Sequence, residues 1–461
     1  MEATVPDERP SAEGPATFRE VFAQHEFRAV FVAGALSWVG DYVAKAAVTV
    51  LVYQRTDSVG LSAAAFAVSF LPWLLGGPVL AALAERYPYR RVMVACDLIR
   101  MGLMLLIAIP QLPYQAVLVL IFAATLANPP SQAAKSALMP QMLAGDRLVL
   151  GLSLNGSAGQ AAQIVGYVLG AAAASYDPRV ALLFNAATFG ASALLVRLGV
   201  RHRSAVPNPA QRSHLLQETR QGFTIVFGTP VLRAIAVLVF SAMLFSIIPE
   251  GLAVGWANEE GRGDMSATTA QAVIMAASPV GFILGGLLVS RLFGPARRLK
   301  LMRPLAVLAP LALVPTLFDP PPLAVALLAA ICGFAVAGML PMANGLFVQA
   351  LPNGIRARAF GVMATGVQVI QGFAVLATGL IADRFDTIPL VVGLWSAAGV
   401  VLMVVAALRW PDRQAFSDAI AAATAANAEP SGHPDDAAGG GTAAGPPEPR
   451  TSDGHRRHAV T

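Results

Sequence analysis

Ser37, Asp41, Lys45 and Thr49 recur every four residues inside a segment that is otherwise apolar from Arg28 to Tyr53, with Trp38 and Tyr42 beside them. Residues four apart share one face of a helix. A charged side chain at the centre of a bilayer costs about 2.5–3.5 kcal/mol on insertion scales. The stripe is therefore predicted to face the interior of a helix bundle or a wet cavity, with Asp41 and Lys45 neutralising one another. Two chemistries fit. Asp41 could take up a proton in one state and release it in another, with a ligand competing through Lys45. Alternatively the two form a structural ion pair, whose desolvation can exceed its attraction. Ser37, Trp38 and Tyr42 become candidate cavity residues.

Other polar groups inside apolar stretches are few. Asp97 and Arg100 lie three apart, which fits either a second proton site or a latch to the basic segment beside them. Glu250 follows Pro249 near the end of an apolar run and reads as interfacial. Asn155, Gly159, Gln163 and Tyr167 repeat every four residues, with Gln160 alongside. Gln368 and Gln371 stand near Gly366 and Gly372. These amides fit substrate contact or helix–helix hydrogen bonding equally. All six histidines fall in tails or predicted loops, so the usual near-neutral titrating group is missing from the apolar segments. Cys96 and Cys332 read as buried, inert thiols, and no metal-ligand set emerges.

The elements that position these groups follow from composition. The chain has 461 residues, 56% hydrophobic and 13% charged, against roughly 25% charged in a soluble domain. Segments of about 20 apolar residues recur along it. An all-α membrane protein of about twelve spans is predicted, at 28–53, 61–84, 91–110, 114–137, 150–175, 180–199, 231–253, 267–291, 300–318, 322–347, 358–381 and 388–410. Lys and Arg concentrate in alternate loops, which places both termini in the cytoplasm of a multi-pass cell-membrane protein. The net charge of +5 is scattered rather than gathered in a stripe, which argues against nucleic acid. Residues 1–27 lack the pattern of a cleaved signal. The chain after Pro411 turns to Ala, Gly, Pro, Ser and Asp and is expected to be a disordered cytoplasmic tail, 411–461.

The segment 200–230 divides the chain into six-helix units at 28–199 and 231–410. Their sequences echo one another. GGPVLAALAERYPYRR (Gly76–Arg91) answers GGLLVSRLFGPARR (Gly285–Arg298), and MPQMLAGDRLVLG (Met139–Gly151) answers LPNGIRARAFG (Leu351–Gly361). Such internal repetition marks secondary transporters. No phosphate-binding Gly-rich loop with its Lys occurs, which excludes an ATP-driven pump. No cluster of His, Cys or acidic residues fits an enzyme.

On these residues the chain resembles the major facilitator superfamily over about 28–410. The Gly-Asp pair and closing Thr-x-Ser of SWVGDYVAKAAVTVLVYQRTDS are similar to the bacterial branch of enterobactin-exporter-like and drug–proton antiporter proteins. LAERYPYRR resembles the superfamily loop after the second helix. Ala81, Glu85, Pro88 and Tyr89 replace its usual Gly, Asp, Gly and Arg, while Arg86, Arg90 and Arg91 remain. The resemblance implies that Glu85, Arg86, Arg90 and Arg91 brace the two halves in one conformation. In the fifth helix, Tyr167 stands where the antiporter motif has proline. The resemblance further implies two six-helix bundles around a central cavity, working as a monomer without a cofactor. The proton gradient would drive export of a small amphipathic compound such as a drug, siderophore or secondary metabolite. Import on the same scaffold is the rival reading.

Overall fold

The computed structural model describes residues 17–75, 87–203, 215–259, 265–352 and 355–428. Among them there is no strand. Apolar runs and caps set the helices. Span one is His25–Thr56, and span two continues as Val59–Val68 and Leu71–Leu75. Span three is Tyr89–Ile107, and span four is Tyr114–Met142, interrupted between Thr125 and Asn128. Spans five and six are Asp146–Tyr176 and Pro178–Gly199. Span seven is Pro230–Asn258, interrupted at Ile247, and span eight is Ala267–Leu292. Span nine is Pro295–Leu311 with a short 3-10 turn, Val314–Phe318; spans ten to twelve are Pro322–Gln349, Arg356–Phe385 and Ile388–Leu408.

The breaks in spans two, four and seven lie just before Pro72, Pro129 and Pro249, which have no N–H to donate to the carbonyls four residues back, at Val68, Thr125 and Phe245. Pro341 leaves span ten continuous, against the expectation of a bend written into the sequence. Among the described residues nine helices are long and apolar enough to cross a membrane by themselves. Spans two, three and five fall outside that set, span two because its described helices are short. Span three carries Arg90, Arg91, Asp97 and Arg100, and span five is rich in Gly, Gln and Asn. Low hydropathy here reflects the polar residues these two helices carry, since both also expose apolar side chains such as Ile99 and Leu152. Leu194, Val119, Leu327, Leu394 and Val401 are each more than half exposed, as lipid-facing side chains of a membrane bundle are.

One end of the bundle gathers the starts of the odd spans. Glu26 pairs there with Arg201 and Arg203, and Arg147 with Glu20. At the opposite end three aspartates, Asp57, Asp319 and Asp386, close helices in the left-handed conformation, at φ of 50°, 49° and 51°, which Asp tolerates better than most residues. The halves meet at this second end. Asp383 of span eleven accepts hydrogen bonds from Ser58 Oγ (2.9 Å) and Val59 N–H (3.0 Å) at the start of span two. Beneath it, one buried cluster draws Phe66, Phe70 and Tyr167 from the first half together with Leu252, Ile274 and Val375 from the second.

Helix contacts rely on glycine. A Cβ on Gly166 would meet Tyr42 and the Val39 carbonyl, and one on Gly170 the Val43 carbonyl, so spans one and five touch backbone to backbone. Gly281, Gly285 and Gly333 do the same between spans eight and ten.

Two stretches outside the spans differ from expectation. Arg413–Ala428 is a helix rather than disordered, because Trp410 stacks on Phe416 at 5.6 Å, and Phe416, Ala415 and Ala419 pack on the core of the second half. The segment between the halves contains a helix, Leu215–Gly228. The rest of the tail, 429–461, and Glu85 and Arg86 of the proposed brace lie outside the described residues.

Candidate functional site

Span one crosses the middle of the first half and carries its charged stripe into a cavity of about 220 Å³. Ser37, Trp38, Asp41, Tyr42 and Lys45 line it, joined by Asp97, Arg100, Lys135, Asn185 and Ser192 from spans three, four and six, and by Gln368 from span eleven. Thr49 turns away, and its buried hydroxyl donates to the Ala46 carbonyl at 2.7 Å.

The ion pair differs from the one that spacing predicts. Arg100 Nη2 reaches across from span three and pairs with Asp41 Oδ1. Lys45 is not the partner. Its ammonium lies 4.8 Å, 5.3 Å and 5.5 Å from the ring centroids of Phe70, Phe66 and Tyr42, a cage held by cation–π attraction. Four residues along a helix bring two side chains to one face, but Lys45 leans toward the aromatic wall of span two and Asp41 toward span three. Phe189 supports Arg100, with the guanidinium carbon 4.0 Å from its centroid. Asp97 is freed from the neighbouring Arg100 and instead accepts from Ser192 Oγ at 2.6 Å. The latch expected of Asp97 thus closes on span six rather than on the basic loop.

Lys135 was not singled out by sequence. It stands in span four, 6% exposed, with its ammonium 3.9 Å from the Trp38 centroid. Its Nζ has no hydrogen-bond acceptor among the described residues. The rule that flags Asp41, a charge inside an apolar span, also applies here. It falls two residues from the predicted end of that span, at 137.

A second, larger cavity of about 950 Å³ lies against the first half's span five and the second half's spans seven, eight and ten. Gln160, Gln163 and Gln371 line it, as do Ser153, Gly156, Gly286 and Pro341. The last four sit in the halves of their helices nearest the end that holds the chain's first span start, so this cavity extends toward that end. Glu250, read from sequence as interfacial, is instead buried at 4% exposure. Its Oε2 accepts from the Tyr167 hydroxyl at 2.8 Å and from Gln163 Nε2 at 3.1 Å, joining spans five and seven across the halves. Tyr167, at the position where the motif has proline, is thereby a bridge rather than a wall of either cavity. Asn155, expected in the cavity, lines neither; it is half-buried, with its Oδ1 unpartnered among the described residues.

Arg90 Nη2 donates to the Arg197 carbonyl at the end of span six, inside its own half, and Arg91 is exposed. In this conformation neither braces one half against the other. Among the described residues, no group of three or more His, Cys, Asp or Glu is placed to hold a metal.

The superfamily profile described as Major Facilitator Superfamily matches residues 30–369. The chain belongs to the major facilitator superfamily. Solved structures share the facilitator fold. The nucleoside transporter NupG matches with TM-score 0.67 and 14% identity, covering 84% of this chain and 100% of that one. A POT-family transporter in complex with a thioalcohol-conjugated peptide matches with TM-score 0.67 and 11% identity over 86% and 96%. Another, in complex with 5-aminolevulinic acid, matches with TM-score 0.65 and 10% identity over 83% and 95%. No curated protein sequence matches closely enough to count as a relative. The facilitator is a multi-pass membrane transporter and not an enzyme.

Proposed function

We propose that this facilitator is a proton-coupled secondary transporter that exports a small amphipathic organic compound, in the manner of the enterobactin-exporter-like and drug–proton antiporter branch. The observation that carries the reading is the Asp41–Arg100 pair. Asp41 retains 25% side-chain exposure to the cavity while Arg100 is buried at 6%. Protonating Asp41 would release the guanidinium at the wall of the cavity, which links proton uptake to the geometry of the site. Residues 28–199 and 231–410 are the two units that rock, and a monomer suffices. The bias of Lys and Arg orients the protein with both termini in the cytoplasm of the plasma membrane. The larger cavity then faces the cytoplasm, ready to load an exported compound.

Inverted membrane vesicles acidified inside, with an acridine dye reporting the pH gradient, test this. Within a panel of organic anions, neutral compounds and cations, one class is expected to collapse the gradient and to accumulate inside, and a protonophore is expected to abolish that accumulation. Accumulation indifferent to the protonophore contradicts proton coupling. Gradient-driven accumulation only in right-side-out vesicles contradicts export.

A further inference from the structure

The first cavity carries more positive charge than its own acids satisfy. Its charged lining is Asp41, Asp97, Lys45, Arg100 and Lys135. Asp41 is taken by Arg100, and Asp97 accepts from Ser192. Glu250 faces the other cavity and is held by Tyr167 and Gln163. Lys45 rests on three aromatic rings. That leaves Lys135, buried at 6% exposure, touching the Trp38 ring and without an acceptor. Asp97 attracts it through space but is hydrogen-bonded to Ser192 instead; a buried ammonium with no hydrogen-bond acceptor is costly, and a cation–π contact offsets only part of that cost. Its surroundings hold it in place all the same: a Cβ on Gly34 of span one would strike Lys135 Nζ, so a glycine keeps room for the amine there.

The remaining lining mixes polar side chains, among them Ser37, Gln132 and Asn185, with an apolar wall. Met93, Met104, Ile121 and Val48 face the same space. A site with one unsatisfied cation, flanked by a rigid indole and flexible methionines, suits a molecule with one negative charge and an apolar body. A cation would meet Lys45, Arg100 and Lys135 together. A neutral compound would leave Lys135 as it is.

We infer that the cavity of the first half binds a monoanionic organic molecule, a carboxylate on an aromatic or other apolar body, with the carboxylate seated on Lys135. This names the substrate class for the transport function proposed above and rests on that reading for its physiological meaning. The binding itself stands on the cavity alone.

The test is a charge series on fixed bodies, measured with the purified full-length protein in detergent and no gradient. Equilibrium dialysis of labelled benzoate and naphthoate is compared with naphthamide and naphthylmethylamine. A charge-assisted hydrogen bond to Lys135 predicts carboxylate binding roughly ten- to hundredfold tighter than binding of the amide or amine. Lys135→Gln should erase that preference, while Lys135→Arg should retain it. Equal binding across the series overturns the inference, as it would if the amine were neutral. So does a preference that survives Lys135→Gln, or the failure of both carboxylates to bind wild-type protein. Selective carboxylate binding without collapse of a pH gradient in vesicles would leave the site standing and remove proton coupling instead.

Discussion

At the scale of single residues, Asp41 and Arg100 show why a pair that looks adjacent in sequence need not be adjacent in space. The stripe on span one, its burial and its wet face were legible, because a charge in an apolar span has few places to go. The partner was not. Helical spacing reports which residues share a face, whereas pairing depends on what the neighbouring helix presents. Only the packing of spans one and three against span six brings Arg100 to Asp41 and leaves Lys45 to Phe66 and Phe70. Glu250 was misplaced for a similar reason: Pro249 marks a break in span seven, but not the Tyr167 hydroxyl waiting across the interface. The revised pairing predicts a thermodynamic cycle. Breaking a buried pair by removing one partner costs about 3–5 kcal/mol, and Arg100→Gln should fall near the lower end because water in the cavity still reaches Asp41. Asp41→Asn combined with Arg100→Gln should recover most of that loss, whereas Asp41→Asn with Lys45→Gln should not. Thermal unfolding of these three variants and wild type in detergent measures both.

At the scale of elements, most span limits were legible to within a few residues. The hydrophobic length required to cross a bilayer is a strong constraint on any sequence. The helix after Trp410 was not, since Ala-rich composition shared with a disordered tail hides the one aromatic, Phe416, that docks it. Close approach between helices was partly legible as glycine frequency, though which glycines matter is a matter of geometry. A methyl group at Gly281 or Gly333 would fall on the backbone of the opposing helix, at Ala330 and Ser278, while Gly286 in the same turn region has open space around it. Gly281→Ala and Gly333→Ala should therefore each cost about 1–3 kcal/mol or more through overpacking. Gly286→Ala should leave the unfolding temperature unchanged or raise it, because alanine is the better helix former. Equal effects at the three positions would contradict the backbone contact of spans eight and ten.

At the scale of the whole molecule, the two halves are joined at the end where Asp383 caps span two, and the larger cavity extends toward the other end. A carboxylate at a helix start contributes about 0.3–1 kcal/mol through the helix dipole when exposed, enough to shift a balanced pair of conformations several-fold. Asp383→Ala should raise labelling of Ser69→Cys by an impermeant thiol reagent added from the Asp383 face, in a background with Cys96 and Cys332 replaced by alanine. Unchanged labelling would assign closure to the apolar cluster of Phe66, Leu252 and Val375 alone.

Coupling is the property in which all three scales meet, and the variant Asp41→Asn isolates it by keeping the side chain's shape and removing its proton site. The decisive measurement is made in inverted vesicles with a compound that collapses the pH gradient in wild type, following uphill accumulation and equilibrium exchange side by side. The account predicts that Asp41→Asn exchanges the compound across the membrane but no longer concentrates it when a pH gradient is imposed. Accumulation by Asp41→Asn equal to wild type, at equal protein in the membrane, would contradict it.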